Sequence, residues 1–112
     1  MIEVTITRSL TGQFSGLKIR GHAKYAGFGE DIVCAGASAL AETSVLGLEK
    51  VAGIKPVVVS KSGCFSLKFP DKLPEESSDK AVSIVETLCL GLEDMAKSYP
   101  SHIRVKTIKE VL

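Results

Sequence analysis

The hydrophobic period of this chain switches from two to about three and a half, back to two, and then through the same cycle again. That switching restricts the fold more than any single residue does. Ile2, Val4 and Ile6 alternate with Glu3, Thr5 and Thr7, and Leu17 and Ile19 alternate with Lys18 and Arg20, which predicts two half-buried strands. Thr11-Gly12-Gln13 between them is a turn, so the pair reads as an antiparallel hairpin that delivers Gly21 and His22 at its end. From about Glu30 to about Val51 the spacing is helical, with Glu30 and Asp31 at the positive end of the helix dipole and Gly53 and Pro56 past the other end.

The second half repeats the scheme. Val57 to Ser60 and Cys64 to Phe69 flank Lys61-Ser62-Gly63, a second hairpin with Phe65, Leu67 and Phe69 on one face. Pro70 to Ser78 is polar and reads as a loop. Ala81, Val85, Leu88, Leu92, Met95 and Tyr99 recur at three and four, predicting a helix from about Ser78 to Tyr99 that Pro100 closes. His102 to Thr107 is a last strand. The order ββαββαβ over 112 residues predicts a single α+β domain, 1–112, in which two helices pack against one mixed sheet.

Charge and cysteine usage narrow the function classes. A net charge of +1, 5% aromatic residues and no Trp give little sign of a nucleic-acid partner. Three cysteines without a C-x-x-C fit neither a disulfide framework nor a zinc site, so a reducing cytoplasm, no metal and no cofactor are expected. The alternating N-terminus is unlike a signal peptide, and the longest apolar stretch, Ile32 to Leu48, is interrupted by Glu42, so neither a leader nor a membrane span is expected.

Candidate chemistry concentrates between residues 21 and 40. A thiol with a reference pKa of about 8.5 is only slightly ionised at neutral pH, and an imidazole together with a helix N-terminus is the usual remedy. His22 at a strand end and Cys34 near a helix start supply that pair, as general base and nucleophile. Asp31, Cys34 and Ser38 share one helix face by their spacing of three and four, whereas Val33, Ala37, Leu40 and Leu48 are placed to meet the sheet. Asp31 either orients the imidazole or simply complements the dipole, and Ser38 either hydrogen-bonds in the site or packs. The backbone amides of Cys34 and Ala35 are candidate oxyanion donors, and Gly21, Gly27 and Gly29 mark a flexible loop that closes over an extended peptide. Cys64, by a hairpin turn, and Cys89, between Leu88 and Leu90, read as structural, as does His102.

Read as G-H-A-x-Y-x₃-G-x-D-I-V-C-A-x-x-S-A-L, residues 21–40 resemble the bacterial ribosomal-processing cysteine protease family, Prp. The likeness continues more loosely along the whole chain. Gly36 and Ala37 stand where the family is expected to carry Ala and Val. The resemblance implies a cysteine endopeptidase that removes the N-terminal extension of large-subunit ribosomal protein twenty-seven, with Cys34 as nucleophile and His22 as base and then acid. It also implies a homodimer, and no direct nucleic-acid or membrane partner is expected. Two other classes remain open at this level: a non-catalytic ribosome-assembly or peptide-binding module using the same groove, and a small RNA-binding domain.

Overall fold

Five strands and two helices form in the expected order: β1 (Ile2–Ser9), β2 (Phe14–Arg20), α1 (Phe28–Lys50), β3 (Val57–Lys61), β4 (Cys64–Lys68), α2 (Glu75–Ser98) and β5 (Ile103–Glu110). The structure is a computed structural model that describes residues 1–21 and 28–110, with the side chains of α1 described from Ile32 onward. The strands make one mixed sheet in the order β3-β4-β2-β1-β5. β1 pairs antiparallel with β2 and parallel with β5, and β4 pairs antiparallel with both β2 and β3. Each helix therefore joins two strands that run the same way, β2 to β3 and β4 to β5. A parallel crossover needs a connection of about a dozen residues or more, usually a helix, and the two long apolar-periodic runs supply it.

Period-two alternation becomes one-sided burial. Ile2, Val4, Ile6, Leu17, Leu67 and Ile103 are buried together with Val33, Ala37 and Leu48 of α1 and Ala81, Val85, Leu88, Cys89 and Leu92 of α2. Both helices thus cover the same face of the sheet, as the apolar positions predicted. At the far end of the core Phe14 and Phe69 meet edge to face, with ring centroids 5.3 Å apart. Cys89 is core as expected. By length and a mean hydropathy of 1.3, Ile32–Lys50 matches a membrane span, but Val33, Ala37, Ala41, Ser44 and Leu48 form a buried stripe at helical spacing, as in the core helix of a globular fold.

Glycines set how α1 and α2 approach. A Cβ on Gly36 would lie 3.0 Å from Met95 Cε, one on Gly91 would lie 3.2 Å from Leu40 Cδ1, and one on Gly47 would lie 3.4 Å from Ile84 Cδ1. The paired positions run in opposite directions along the chain, so the helices are antiparallel and long side chains of each nest over glycines of the other. At Gly36 the missing methyl leaves room for the Met95 thioether.

Several boundaries differ from the sequence expectation. α1 begins at Phe28, so Gly29 and Glu30 belong to its first turn and Gly29 is not a loop residue. A glycine's low helix propensity does not prevent a start. α2 begins at Glu75, three residues before the first expected position, because Pro74 precedes it and Glu75 and Glu76 favour its N-terminus although all three are exposed and carry no apolar signal. β5 continues to Glu110, its pairing with Arg8 and Ser9 outlasting its own burial. At the end of α1, Gly53 turns the chain at φ +69° while the N–H groups of Val51, Ala52 and Ile54 donate to the carbonyls of Gly47 and Leu48.

Among the described residues, the Arg8–Glu86 ion pair crosses from sheet to helix. A bulge follows Thr7, where the Ser15 hydroxyl donates to the Thr7 carbonyl, and Arg8 beyond it donates two hydrogen bonds to the Glu86 carboxylate of α2, at 2.7 and 2.8 Å. The guanidinium holds the Glu86 carboxyl below the usual 4.5. A carboxyl lowered by folding contributes stability above its unfolded pKa and loses it as pH falls through the folded value. Glu86→Gln is therefore expected to cost about 1 kcal/mol at neutral pH, allowing for the pair's partial exposure. Urea titrations should show the gap between wild type and variant closing as pH drops below about 4.

Candidate functional site

The strand termini and α1 converge at one end of the sheet. β2 finishes at Arg20, β3 and β4 meet at the Ser62-Gly63 turn, and β1 and β5 both start there. Gly21 holds this junction together. Its φ of +122° suits glycine alone, a Cβ there would sit 2.4 Å from the Met1 carbonyl oxygen, and its N–H donates to the Gly63 carbonyl at 3.1 Å. Gly63, at φ +76°, makes the tight turn that brings that carbonyl within reach. On the far side of the junction the Ile2 N–H donates to the His102 carbonyl, so His102 helps anchor β1, in line with a structural role.

A cavity of about 130 Å³ opens at this junction. α1 contributes Cys34, Ala37, Ser38, Ala41 and Glu42 to its wall; Ile2, Ile19 and Gly21 come from the first hairpin and Ser60, Lys61, Gly63, Cys64 and Phe65 from the second. Cys34 is half-buried and packs its sulfur-bearing side chain against the core, while Ser38, one turn on, is exposed. The expected shared face of Cys34 and Ser38 is thus realised as one wall of the cavity. Glu42 extends the same stripe by another turn, and its spacing of four from Ser38 was a usable signal. Ser60, Lys61 and Phe65 had none, since only the tertiary arrangement carries the second hairpin to α1.

The other expected site residues separate into three groups. Gly21 lines the cavity. His22, the next residue in the chain, lies outside the described residues, as does Gly27, and the Asp31 side chain is likewise outside them although its backbone belongs to the first turn of α1. The amides of Cys34 and Ala35 are a correction. With α1 starting at Phe28 they lie in its second turn, where each N–H donates to the carbonyl four residues earlier; only the first four amides of a helix lack such partners. Neither amide is available to an oxyanion.

The three thiols differ sharply in environment. Burial pushes the Cys89 thiol up to about 11, which removes it as a nucleophile. Cys64 pairs in register with Arg20 and Lys61, on the side of the sheet away from the helices. Cys34 alone combines a position on a helix with a cavity assembled from both hairpins. Among the described residues no three His, Cys, Asp or Glu side chains gather as a metal ion requires.

The chain's relatives carry the same architecture. The family described as "Cysteine protease Prp" matches residues 1–104. The ribosomal processing cysteine protease Prp of Bacillus subtilis is 33% identical over 109 residues, covering 96% of this chain and 97% of the relative. The Staphylococcus aureus ribosomal processing protease, solved in complex with a substrate peptide, superposes with a TM-score of 0.85 at 29% identity over 96% of this chain and 100% of that one. A second structure of the S. aureus protease contains a covalently linked product peptide, and matches with a TM-score of 0.83 at 30% identity, again over 96% and 100% of the two chains.

Two measurements test the junction and the thiols. Gly21→Ala is expected to lower stability by roughly 1–3 kcal/mol, seen as a reduced melting temperature, because both the dihedral and the overlap with Met1 must be relieved. Alkylation of the native protein at mild alkaline pH, followed by mass spectrometry, should label Cys34 and Cys64 and spare Cys89 until denaturant is added.

Proposed function

Since the chain belongs to the cysteine protease Prp family, we propose that it cleaves the N-terminal extension from large-subunit ribosomal protein twenty-seven with a Cys34/His22 dyad. The observation that carries this proposal is the position of Cys34: half-buried, on the wall of a cavity that both hairpins and α1 build together, with Gly21, the residue preceding His22, on the same wall. The solved S. aureus relative with a covalently linked product peptide supports a mechanism through a covalent intermediate.

In this mechanism the His22 imidazole takes the proton from Cys34 Sγ, and the thiolate adds to the carbonyl carbon of the scissile peptide bond. The tetrahedral intermediate collapses as the imidazolium returns that proton to the departing amine, leaving a thioester on Cys34. Water, deprotonated by His22, then hydrolyses the thioester and regenerates the thiol. Asp31 orients the imidazole, Ser38 and Glu42 line the path of the peptide, and the segment preceding α1 closes over it. The same proposal takes the enzyme as cytoplasmic, where a free thiol survives, and as a homodimer. Support for the dimer comes from a groove of about 450 Å³ between α1 and α2, lined by Leu40, Gly47, Val51 and Ile84 among others and edged by exposed Ala39, Thr43, Ser83 and Thr87.

Incubation with a peptide spanning the processing site tests the dyad. Cys34→Ala is expected to abolish turnover, His22→Ala to lower kcat by about 10²–10⁴-fold, and Cys64→Ala to leave cleavage intact. Undiminished cleavage by Cys34→Ala removes the thiol from the reaction.

A further inference from the structure

The sheet has a second face, and its charge is unlike that of the chain as a whole. Cross-strand register places Lys61, Cys64, Arg20, Glu3 and Arg104 in one row across the five strands, and Val59, Ser66, Lys18, Thr5 and Lys106 in the next. A third row holds Val57, Lys68, Gly16, Thr7 and Ile108. These rows alternate with the residues that pack under the helices, so they share the face the helices leave open. Six cations, Lys18, Arg20, Lys61, Lys68, Arg104 and Lys106, stand there, all on exposed residues. Three carboxylates face them: Glu3, which accepts from Arg104 and also feels Lys106, and Glu110 and Asp71, which lie towards the opposite end of the strands. The face carries three net positive charges on a chain whose total is +1, so the remainder is net negative. Two shallow depressions of about 410 and 470 Å³ share Thr7, Lys18 and Glu110; Arg20, Lys106 and Glu3 line the first, Lys68 and Asp71 the second.

We propose that this open face binds the phosphate backbone of RNA, independently of base sequence. Net charge is the first reason: six cations outnumber three carboxylates on this face, and Glu3, the carboxylate within the first row, accepts from Arg104, so a polyanion held against Lys18, Lys106, Arg20 and Lys68 meets an excess of cations. Spacing is the second. Lys18 and Arg20 are two residues apart on one strand, hence about 6.6–6.8 Å apart along it, and the neighbouring strands offset further cations by about 4.8 Å per strand. That lattice matches a regularly repeating line of phosphates better than the irregular carboxylates of an acidic protein. No aromatic residue stands in these three rows, so stacking on bases contributes nothing and affinity comes from ion pairing. The face meets the cavity of Cys34 at Lys61 and Cys64, and Lys18, Lys68 and Lys106 lie outside that cavity's wall. The proposed protease would in this way hold RNA through Lys18, Arg20, Lys68 and Lys106, none of which lines the cavity of Cys34.

The test is binding of a fluorescent oligouridylate to the full chain, titrated between about 50 mM and 200 mM salt. Neutralising about four phosphates predicts a log–log salt slope near −3 for a single strand. In the double variant Lys18→Gln/Lys106→Gln the slope should become shallower by about 1.4, with affinity at 0.1 M salt falling roughly tenfold or more. Both residues are exposed, so melting temperature and peptide cleavage should match wild type, which separates failure of this proposal from failure of the protease assignment. Absence of binding at the lowest salt, or binding that the double variant leaves unchanged, overturns the proposal. Equal competition by polyglutamate and by unlabelled oligouridylate of the same charge also overturns it, in favour of an acidic protein partner.

Discussion

One-sided burial of the sheet is the constraint from which the other features follow. Because successive side chains of a strand point to opposite faces, once Ile2, Val4 and Ile6 lie beneath the helices the register of every neighbouring strand is committed. A slip of one residue in β2 would expose Leu17 and bury Lys18. The same alternation that assembles the core therefore gathers the basic residues on the opposite face, so the charged surface is a direct consequence of core packing.

Covering only one face also decides where chemistry can occur. Both crossovers run over the helix side, and the strands exchange direction at one end, where Gly21, the Ser62-Gly63 turn and the start of β1 crowd together. Backbone groups at such a junction need close approach. Gly21 supplies it where no side chain fits, and the cavity beside it receives Cys34 from α1. Cys34 thus sits on a helix, and Gly21, the residue before His22, is locked by hydrogen bonding and sterics. A fixed relation between sulfur and imidazole is what the proposed dyad requires.

α1 reconciles two demands. Its small residues let α2 come close through reciprocal nesting of Met95, Leu40 and Ile84 against Gly36, Gly91 and Gly47, and they leave open space around Cys34 and Ser38 at its other edge. Larger residues would strengthen contact with the sheet but close the cavity. At position 36 a flexible thioether, that of Met95, occupies the space a side chain would take, and the helix continues through the glycine.

Element order, the two hairpins, the buried stripes of both helices and the shared face of Cys34 and Ser38 were all legible in the amino-acid order, because they depend on periodicities of two and 3.6 that are local properties of the backbone. The start of α2 was not, since Pro74, Glu75 and Glu76 carry no apolar signal, and neither was the start of α1 at Phe28, which decides between the first and second turn for Cys34 and engages its amide within the helix. Tertiary structure alone brought the Ser60 to Phe65 hairpin to Cys34 and put Lys18 beside Lys106. Residues 88 positions apart in the chain become neighbours across β1 only through strand pairing. Net charge, a sum without coordinates, concealed the basic face for the same reason: the opposite charges that cancel it lie elsewhere on the fold.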